Sequence, residues 1–466
     1  MWIGGAAVRT AHPHEITIPF DGTPAAIVFK AGLDQVDAAI KAATRAAPLM
    51  RAMSRHERSA ILYKAHTLLG ERHETMAQAI ASESGKPIRE ARTETERGRM
   101  TLLFSAEEAH RLHGAEVPLD AHPGGRGKMG LVIREPLGVI AAITPFNFPL
   151  NLALHKIGPA LAAGNTVVHK PASATPVSAL LLAHIFHDAG LPAGALNVIT
   201  GAGSSIGDAL SSDPRIAMIT FTGSPDVGRR IRSLAGMKRV TLELGANSAV
   251  IIEPDADLDR AIPKCVAGAF ANSGQVCISV QRIFAHADIR DKVAERMAAA
   301  AAQLRIGHPL DEATEVSSLI TEADAVRVGD WIEEARAGGA KVLTGGNRRG
   351  TTLTPAILTD VPPGASLCAR EAFGPVVAIN AYTTLPDAIA MVNHSDYGLQ
   401  AGMFTRDLEK AFQAAREVHV GGFHINETPA FRVDQMPYGG VKLSGTGREG
   451  PRYAAEEMTE MKLITW

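Results

Sequence analysis

Leu137-Gly138-Val139-Ile140-Ala141-Ala142-Ile143-Thr144-Pro145-Phe146-Asn147-Phe148-Pro149 joins an unbroken apolar run to a loop stiffened by two prolines. A short apolar run bounded by turn residues predicts a buried strand. Four more runs repeat the theme downstream, at Thr166 to His169, Leu196 to Ile199, Ile216 to Phe221 and Val240 to Leu244. The intervening segments have the pattern of crossover helices, among them Ala174 to Ala189 with Pro176 near its start. This alternation predicts an α/β chain built on a doubly wound parallel sheet, in which ligands bind beyond the carboxyl ends of the strands.

The rest of the composition narrows the function. At 466 residues the chain exceeds the size of one hydrophobic core, so two or three domains are expected. A formal net charge of -2, with no long Lys/Arg run, argues against nucleic acid and favours a small-molecule partner. No secretory pattern opens the chain and no apolar stretch is long enough for a membrane span, so a cytoplasmic, non-membrane protein is expected. Three cysteines, Cys265, Cys277 and Cys368, predict a reducing compartment without a disulfide framework. No metal site is expected.

Before the first strand the chain reads as helical after a short strand-like start. Ser54 and Glu57 form a candidate capping box opening a helix through Ser59 to Ala81, ended by Gly85 and Pro87. A second helix is predicted from Ile88 to about Arg111 and carries Arg97, a candidate anion contact. Between Gly114 and Glu135, two short alternating segments flank His122-Pro123-Gly124-Gly125 and predict a hairpin. An isolated hairpin is marginally stable, so an oligomerisation arm is expected.

The residues after each strand are the candidate site. Asn147 is either a turn asparagine bonding its own backbone or a donor to a developing oxyanion. Lys170, followed by Pro171 and Ser173, is either a solvated charge or a nucleotide contact. Two glycine patterns, Gly201 to Gly207 and Phe221-Thr222-Gly223-Ser224-Pro225-Asp226-Val227-Gly228, compete for a phosphate at a helix N-terminus. Glu243, at an apolar strand end, is either satisfied locally or a general base raised by its setting. Cys277, in Asn272-Ser273-Gly274-Gln275-Val276-Cys277-Ile278-Ser279, is by itself either a core cysteine or a nucleophile.

Taken together, Pro145-Phe146-Asn147-Phe148-Pro149, Phe221-Thr222-Gly223-Ser224, Leu242-Glu243-Leu244-Gly245 and Ser273-Gly274-Gln275-Val276-Cys277 resemble the aldehyde dehydrogenase superfamily. Glu371-Ala372-Phe373-Gly374-Pro375 and Pro437-Tyr438-Gly439-Gly440-Val441-Lys442-Leu443-Ser444-Gly445 extend the likeness over nearly the whole chain. The resemblance implies Cys277 as nucleophile, Glu243 as general base and Asn147 as oxyanion donor. It implies Lys170 and Ser173 at the adenosine ribose, and Gly223, Ser224 and Gly228 at the pyrophosphate. Glu371 and Phe373 would position the nicotinamide ribose and ring, and Thr144 and Leu244 complete the implied cofactor site. The phosphate role therefore passes from Gly201–Gly207 to Gly223. The implied division is a Rossmann-like cofactor domain over 1–112 and 136–245, a catalytic domain over 246–437, and an arm from 113–135 and 448–466 that pairs subunits as a homodimer or homotetramer.

The implied activity is oxidation of an aldehyde to the acid through a thiohemiacetal and thioester on Cys277. Ser173 stands where many NAD-preferring relatives carry a glutamate, so NADP use is expected alongside NAD. The overall look is similar to the branch containing lactaldehyde, non-phosphorylating glyceraldehyde-3-phosphate and phosphonoacetaldehyde dehydrogenases. A short hydroxylated or anionic substrate follows, with His155 expected to face the substrate channel and Arg432 and Arg97 as further contacts. Ala271 replaces an arginine of succinate-semialdehyde-oxidising relatives. The alternatives are a CoA-acylating dehydrogenase and a catalytically silent cofactor-binding protein.

Overall fold

The computed structural model describes all residues from Met1 to Trp466. The five predicted strands form one parallel layer, ordered Leu196–Val198, Thr166–Lys170, Val139–Ile143, Ile216–Thr222 and Arg239–Glu243. The first of these in the chain, Val139–Ile143, sits in the middle, and the chain adds strands first on one side of it and then on the other. That reversal opens a crevice beyond the carboxyl ends. Thr144, Lys170, Gly223 and Glu243 all lie at those ends. Antiparallel strands extend both flanks, Trp2–Ile3 and then Ala6–Ala7 on one side and Gly445–Thr446 on the other.

A second sheet of seven strands follows, in the order Lys341–Thr344, Ala356–Thr359, Val376–Tyr382, Arg282–His286, Ala249–Ile252, Gln400–Phe404 and Gly422–Ile425. Only its first strand is antiparallel. Its strands are nearly continuous apolar runs, as expected where both faces are covered, and Val250, Ile252, Ile283 and Val377 are fully buried. The turn bearing Cys277 lies between helix Leu258–Phe270 and strand Arg282–His286, facing the first sheet.

The helix predicted from Ile88 runs through Ile88–Arg111. The capping box at Ser54 also forms, with the Glu57 N–H donating to Ser54 Oγ at 3.2 Å and the Ser54 N–H donating to Glu57 Oε2 at 2.7 Å. The single helix expected beyond it is instead two, Arg55–Glu71 and His73–Ser84, with the chain bending at Arg72. Gly70, a poor helix former, weakens the ladder just before the bend, and the two segments bury Leu62 and Leu69 and then Met76 and Ile80 on one side.

The expected hairpin is less regular than its pattern. Strands Ala115–Val117 and Gly130–Pro136 pair, but two short 3₁₀ turns, Leu119–Ala121 and Pro123–Gly125, stand between them. Thr459–Thr465 adds a third, outer strand along Gly130–Pro136. This strand leaves Met461, Leu463 and Ile464 exposed, with Trp466 just beyond it. Within the stretch expected to form the arm from residue 448, a helix precedes this strand. Helix Pro451–Glu457 packs on Ile88–Arg111 and Asn151–Ala162, which cover its small apolar face and bury Ala454 and Ala455. No helix is long and apolar enough to cross a membrane.

Candidate active site

The turn leading to Cys277 is conformationally unusual. Asn272 (φ 49°), Ser273 (φ 56°) and Gly274 (φ 74°) are consecutive residues in the left-handed region. A non-glycine residue there costs about 1–2 kcal/mol, least for asparagine, so the surroundings must fix it. The Asn272 N–H donates to Glu90 Oε2 at 2.7 Å, and Asn272 Nδ2 donates to the Asn147 carbonyl at 3.2 Å. Ser273 Oγ donates to the Ser317 carbonyl at 3.0 Å, and Gln275 Oε1 accepts the Ile320 N–H at 2.9 Å. Gly274 is required twice, by its φ and because a Cβ would lie 2.9 Å from Pro375 N.

Cys277 follows this turn and opens on a cavity of about 770 Å³, whose wall also includes Arg97, Phe148, Asn151, Arg432 and Tyr438. Its Sγ lies 2.8 Å from the Tyr438 hydroxyl. Burial pushes the thiol up to about 12, against the Tyr438 hydrogen bond and the Arg432 charge, which favour the thiolate. Cys265 and Cys368 are buried core residues. Asn147 is held beside the turn. Its Nδ2 donates to the Gln275 carbonyl at 2.9 Å, which occupies one of two amide hydrogens, and its Oδ1 is buried without a partner.

Glu243 ends its strand with both carboxylate oxygens buried and unpartnered. Burial, and then the charge of Glu449, raise its pKa well above the ordinary carboxylate range. Glu449 behaves in the opposite way. Burial works against its charge, but Lys156 at 2.7 Å and Arg432 at 3.0 Å more than reverse this and hold it at about 2. The Arg432 guanidinium also lies 3.6 Å from the centroid of the Tyr438 ring. Two neighbouring carboxyls driven apart in this way are a pattern associated with acid–base chemistry.

The sequence-selected cofactor residues fall into two groups. Lys170 and Ser173 lie beside the Gly201 turn: Ser173 Oγ donates to the Gly201 carbonyl at 3.0 Å, and the Gly203 Cβ position is 3.9 Å from Lys170 Cε. Lys170 Nζ has only the Pro171 carbonyl as partner, at 3.0 Å, and burial lowers its pKa to about 8. Thr144 Oγ1 is 2.9 Å from His169 Nε2, beneath this loop. The second group surrounds the switch crevice. Ser224 caps helix Pro225–Leu234, and a Cβ at Gly228 would lie 2.7 Å from Leu244. Glu371 accepts the Ala246 N–H at 3.0 Å, and burial raises its pKa to about 7. Phe373, also left-handed at φ 49°, meets Phe146 edge to face at 5.7 Å.

The substrate candidates separate. Arg97 and Arg432 share the cavity wall with Cys277. His155 does not face the cavity. It is fully buried and its Nε2 meets Asp434 Oδ1 at 3.0 Å, because helix Asn151–Ala162 is covered on all sides. Asp434 in turn accepts from Arg97 at 2.9 Å and Asn151 at 3.0 Å, so His155 braces Arg97 from behind. Sequence reasoning missed Tyr438, Lys156, Glu449 and Asp434. Lys156 had a signal, a charge inside the apolar run Leu152 to Ala163; Asp434 had none.

The profile described as "Aldehyde dehydrogenase family" matches residues 7–464. The 3-sulfolactaldehyde dehydrogenase of Priestia megaterium is 48% identical over 464 residues, covering 100% of this chain and 97% of that protein. The crystal structure of aldehyde dehydrogenase 21 from Physcomitrella patens in complex with the reaction product succinate superposes with a TM-score of 0.97 at 41% identity, covering 100% of this chain and 97% of the other. NADP-dependent glyceraldehyde-3-phosphate dehydrogenase from Bacillus halodurans, complexed with NADP, gives 0.97 at 37% identity over 100% and 98% of the two chains. With the profile spanning almost every residue, this chain belongs to the aldehyde dehydrogenase family.

Proposed function

We propose that this enzyme oxidises a short anionic or hydroxylated aldehyde to its carboxylic acid through a covalent thioester on Cys277, accepting NADP as well as NAD. The observation that carries the reading is a single wall holding the Cys277 sulfur and two guanidinium groups, Arg97 and Arg432. Each of these arginines has a buried Nε without a hydrogen-bond partner, a donor that a carboxylate, sulfonate or phosphate would satisfy. The likeness to a 3-sulfolactaldehyde dehydrogenase points the same way and makes a sulfonated three-carbon aldehyde the first substrate to test.

In this reading the Cys277 thiolate attacks the aldehyde carbon, and the free amide hydrogen of Asn147 receives the oxyanion. One such donor is worth about 3 kcal/mol. Glu243, unpartnered and raised in pKa, then takes a proton from the water that hydrolyses the thioester. Lys156 and Arg432 keep Glu449 ionised, so of the two neighbouring carboxyls Glu243 is the one whose proton affinity is raised.

A dinucleotide fits the residues present. Lys170 is buried and Glu371 half-buried, each with one backbone partner, and Gly228 leaves no room for a side chain against Leu244. Lys170 and Ser173 would hold its adenosine ribose, Gly223, Ser224 and Gly228 its pyrophosphate, and Thr144, Leu244, Glu371 and Phe373 its nicotinamide end. When bound, it supplies the hydride acceptor. Ser173 carries no charge, so a 2′-phosphate meets no carboxylate there. The exposed outer strand Thr459–Thr465 is the proposed subunit-pairing surface of a homodimer or homotetramer.

The test is an aldehyde panel with each dinucleotide, on the wild type and Cys277→Ser. Highest kcat/KM with short anionic or hydroxylated aldehydes, and no turnover by the serine variant despite retained dinucleotide binding, is expected. A preference for long aliphatic or aromatic aldehydes would overturn the substrate reading, and full activity of Cys277→Ser the chemistry.

A further inference from the structure

Tyr438 is placed with unusual care for an aromatic in a core. It is almost fully buried, its N–H donates to the Glu449 carbonyl at 3.1 Å, and the Glu449 N–H donates back at 2.6 Å. Its ring is covered on one face by Arg432, 3.6 Å away, and Arg432 is itself fixed by Glu449. Its hydroxyl has a single hydrogen-bond partner, the Cys277 sulfur at 2.8 Å. No backbone carbonyl or carboxylate competes for that O–H.

We infer that Tyr438 is a further catalytic residue, whose hydroxyl donates a hydrogen bond to the Cys277 sulfur and stabilises the thiolate both before attack and on its departure from the thioester. The inference rests on Cys277 being the nucleophile. Burial and the adjacent cysteine raise the Tyr438 pKa well above 10, so the phenol keeps its proton and serves as donor. An arginine over the ring face withdraws electron density and strengthens the O–H as a donor. The thiol proton leaves to solvent before the attack, in which a sulfur lone pair forms the C–S bond and the carbonyl π pair moves to oxygen, toward Asn147. In hydrolysis the C–S bond breaks and that pair returns to sulfur, where the Tyr438 O–H again meets it. No proton leaves tyrosine in either step.

The charged and titratable groups facing the sulfur are Tyr438, Arg432, Glu371 and Glu243. Of these only Tyr438 touches it through a hydrogen bond. This separates a hydrogen-bonding role from a packing role by the sign of one measurement. Removing the hydroxyl makes room beside Cys277, so pure packing predicts equal or faster alkylation of the sulfur. Loss of a donor to the thiolate predicts slower alkylation.

The experiment is iodoacetamide alkylation of Cys277 in wild type and Tyr438→Phe from pH 7 to 10, with the modified cysteine identified by peptide mass mapping. The expected result is alkylation about tenfold slower at each pH, equivalent to raising the thiol by about one unit. kcat/KM for aldehyde should fall by a similar factor, with dinucleotide affinity unchanged. Alkylation as fast as in wild type, or faster, overturns the inference. Cys277→Ser separates the two readings: if that variant still oxidises aldehyde, Cys277 is not the nucleophile and the proposed function fails first. If it is inactive and Tyr438→Phe alkylates normally, only the role of Tyr438 fails.

Discussion

Glu243→Gln offers a test in which function and stability move in opposite directions. Both carboxylate oxygens of Glu243 are buried without a partner, so the substitution breaks no hydrogen bond, and glutamine matches the side chain in size. The folded-state pKa of Glu243 is raised, first by burial and then by Glu449. A carboxyl raised on folding contributes its full stability below its unfolded pKa and loses it as pH rises through the folded value. Each unit of elevation is about 1.4 kcal/mol, a loss that the neutral amide does not suffer. The variant should therefore match the wild type at pH 4 and exceed it at pH 9, as read by urea unfolding. Turnover should fall by about 10²–10⁴, the usual contribution of a general base. Because water attack follows formation of the thioester, a stoichiometric pre-steady-state burst of reduced dinucleotide should survive in the variant. Loss of the burst together with turnover would refute the assignment of Glu243 to hydrolysis. An unchanged difference in stability between pH 4 and pH 9 would refute the account of its environment.

Three further substitutions test other parts of the site and fold. Asn147→Ala removes the amide hydrogen left free beside Cys277 and should lower kcat by about 10²–10³, with dinucleotide binding by fluorescence titration unchanged. Ser173→Glu places a carboxylate near the proposed 2′-phosphate and should shift the NAD to NADP ratio of kcat/KM toward NAD by about tenfold or more, about 1.4 kcal/mol; an unmoved ratio would remove Ser173 from the cofactor site. Lys86→Met strands Glu94, whose carboxylate is fully buried against Lys86 and accepts the Leu150 and Asn151 N–H groups at 3.0 and 3.1 Å. Stranding a buried charge costs about 3–5 kcal/mol, measurable by urea unfolding.

The sheet was legible because its signal is local. Five apolar runs and their glycine-rich turns are each contained in a few consecutive residues, and the observed strands differ from them by a residue or two at the ends. The motif residues at the strand ends were legible for the same reason. Contacts distant in sequence were not. His155 has a periodicity that says it is on a helix, but whether it faces a cavity depends on Asp434, 279 residues away. The break at Arg72 and the helix Pro451–Glu457 were hidden because tertiary packing, more than local propensity, decides where each ends and what it covers. Tyr438 stood inside a quoted motif, yet the hydrogen-bond partner of its hydroxyl is a sulfur 161 residues earlier in the chain.

The buried charges around the site explain why Glu243 can be both unpartnered and usable. Lys156 and Arg432 bring two positive charges and Glu449 one negative, so their ion pairs leave one net positive charge. Ionised Glu243 makes the group of four neutral. Burial and Glu449 oppose that ionisation, while Lys156 and Arg432 favour it, and the balance leaves the carboxyl raised in pKa. A hydrogen-bond donor aimed at Glu243 would hold it ionised and weaken it as a base. The absence of such a donor therefore fits the proposed base, and the two cations limit its cost from one step away. Arg432 has a second duty, since the guanidinium that holds Glu449 also covers the Tyr438 ring. The carboxyl proposed to activate water and the sulfur proposed to carry the thioester therefore both face one arginine, which lies in the same cavity wall as Cys277.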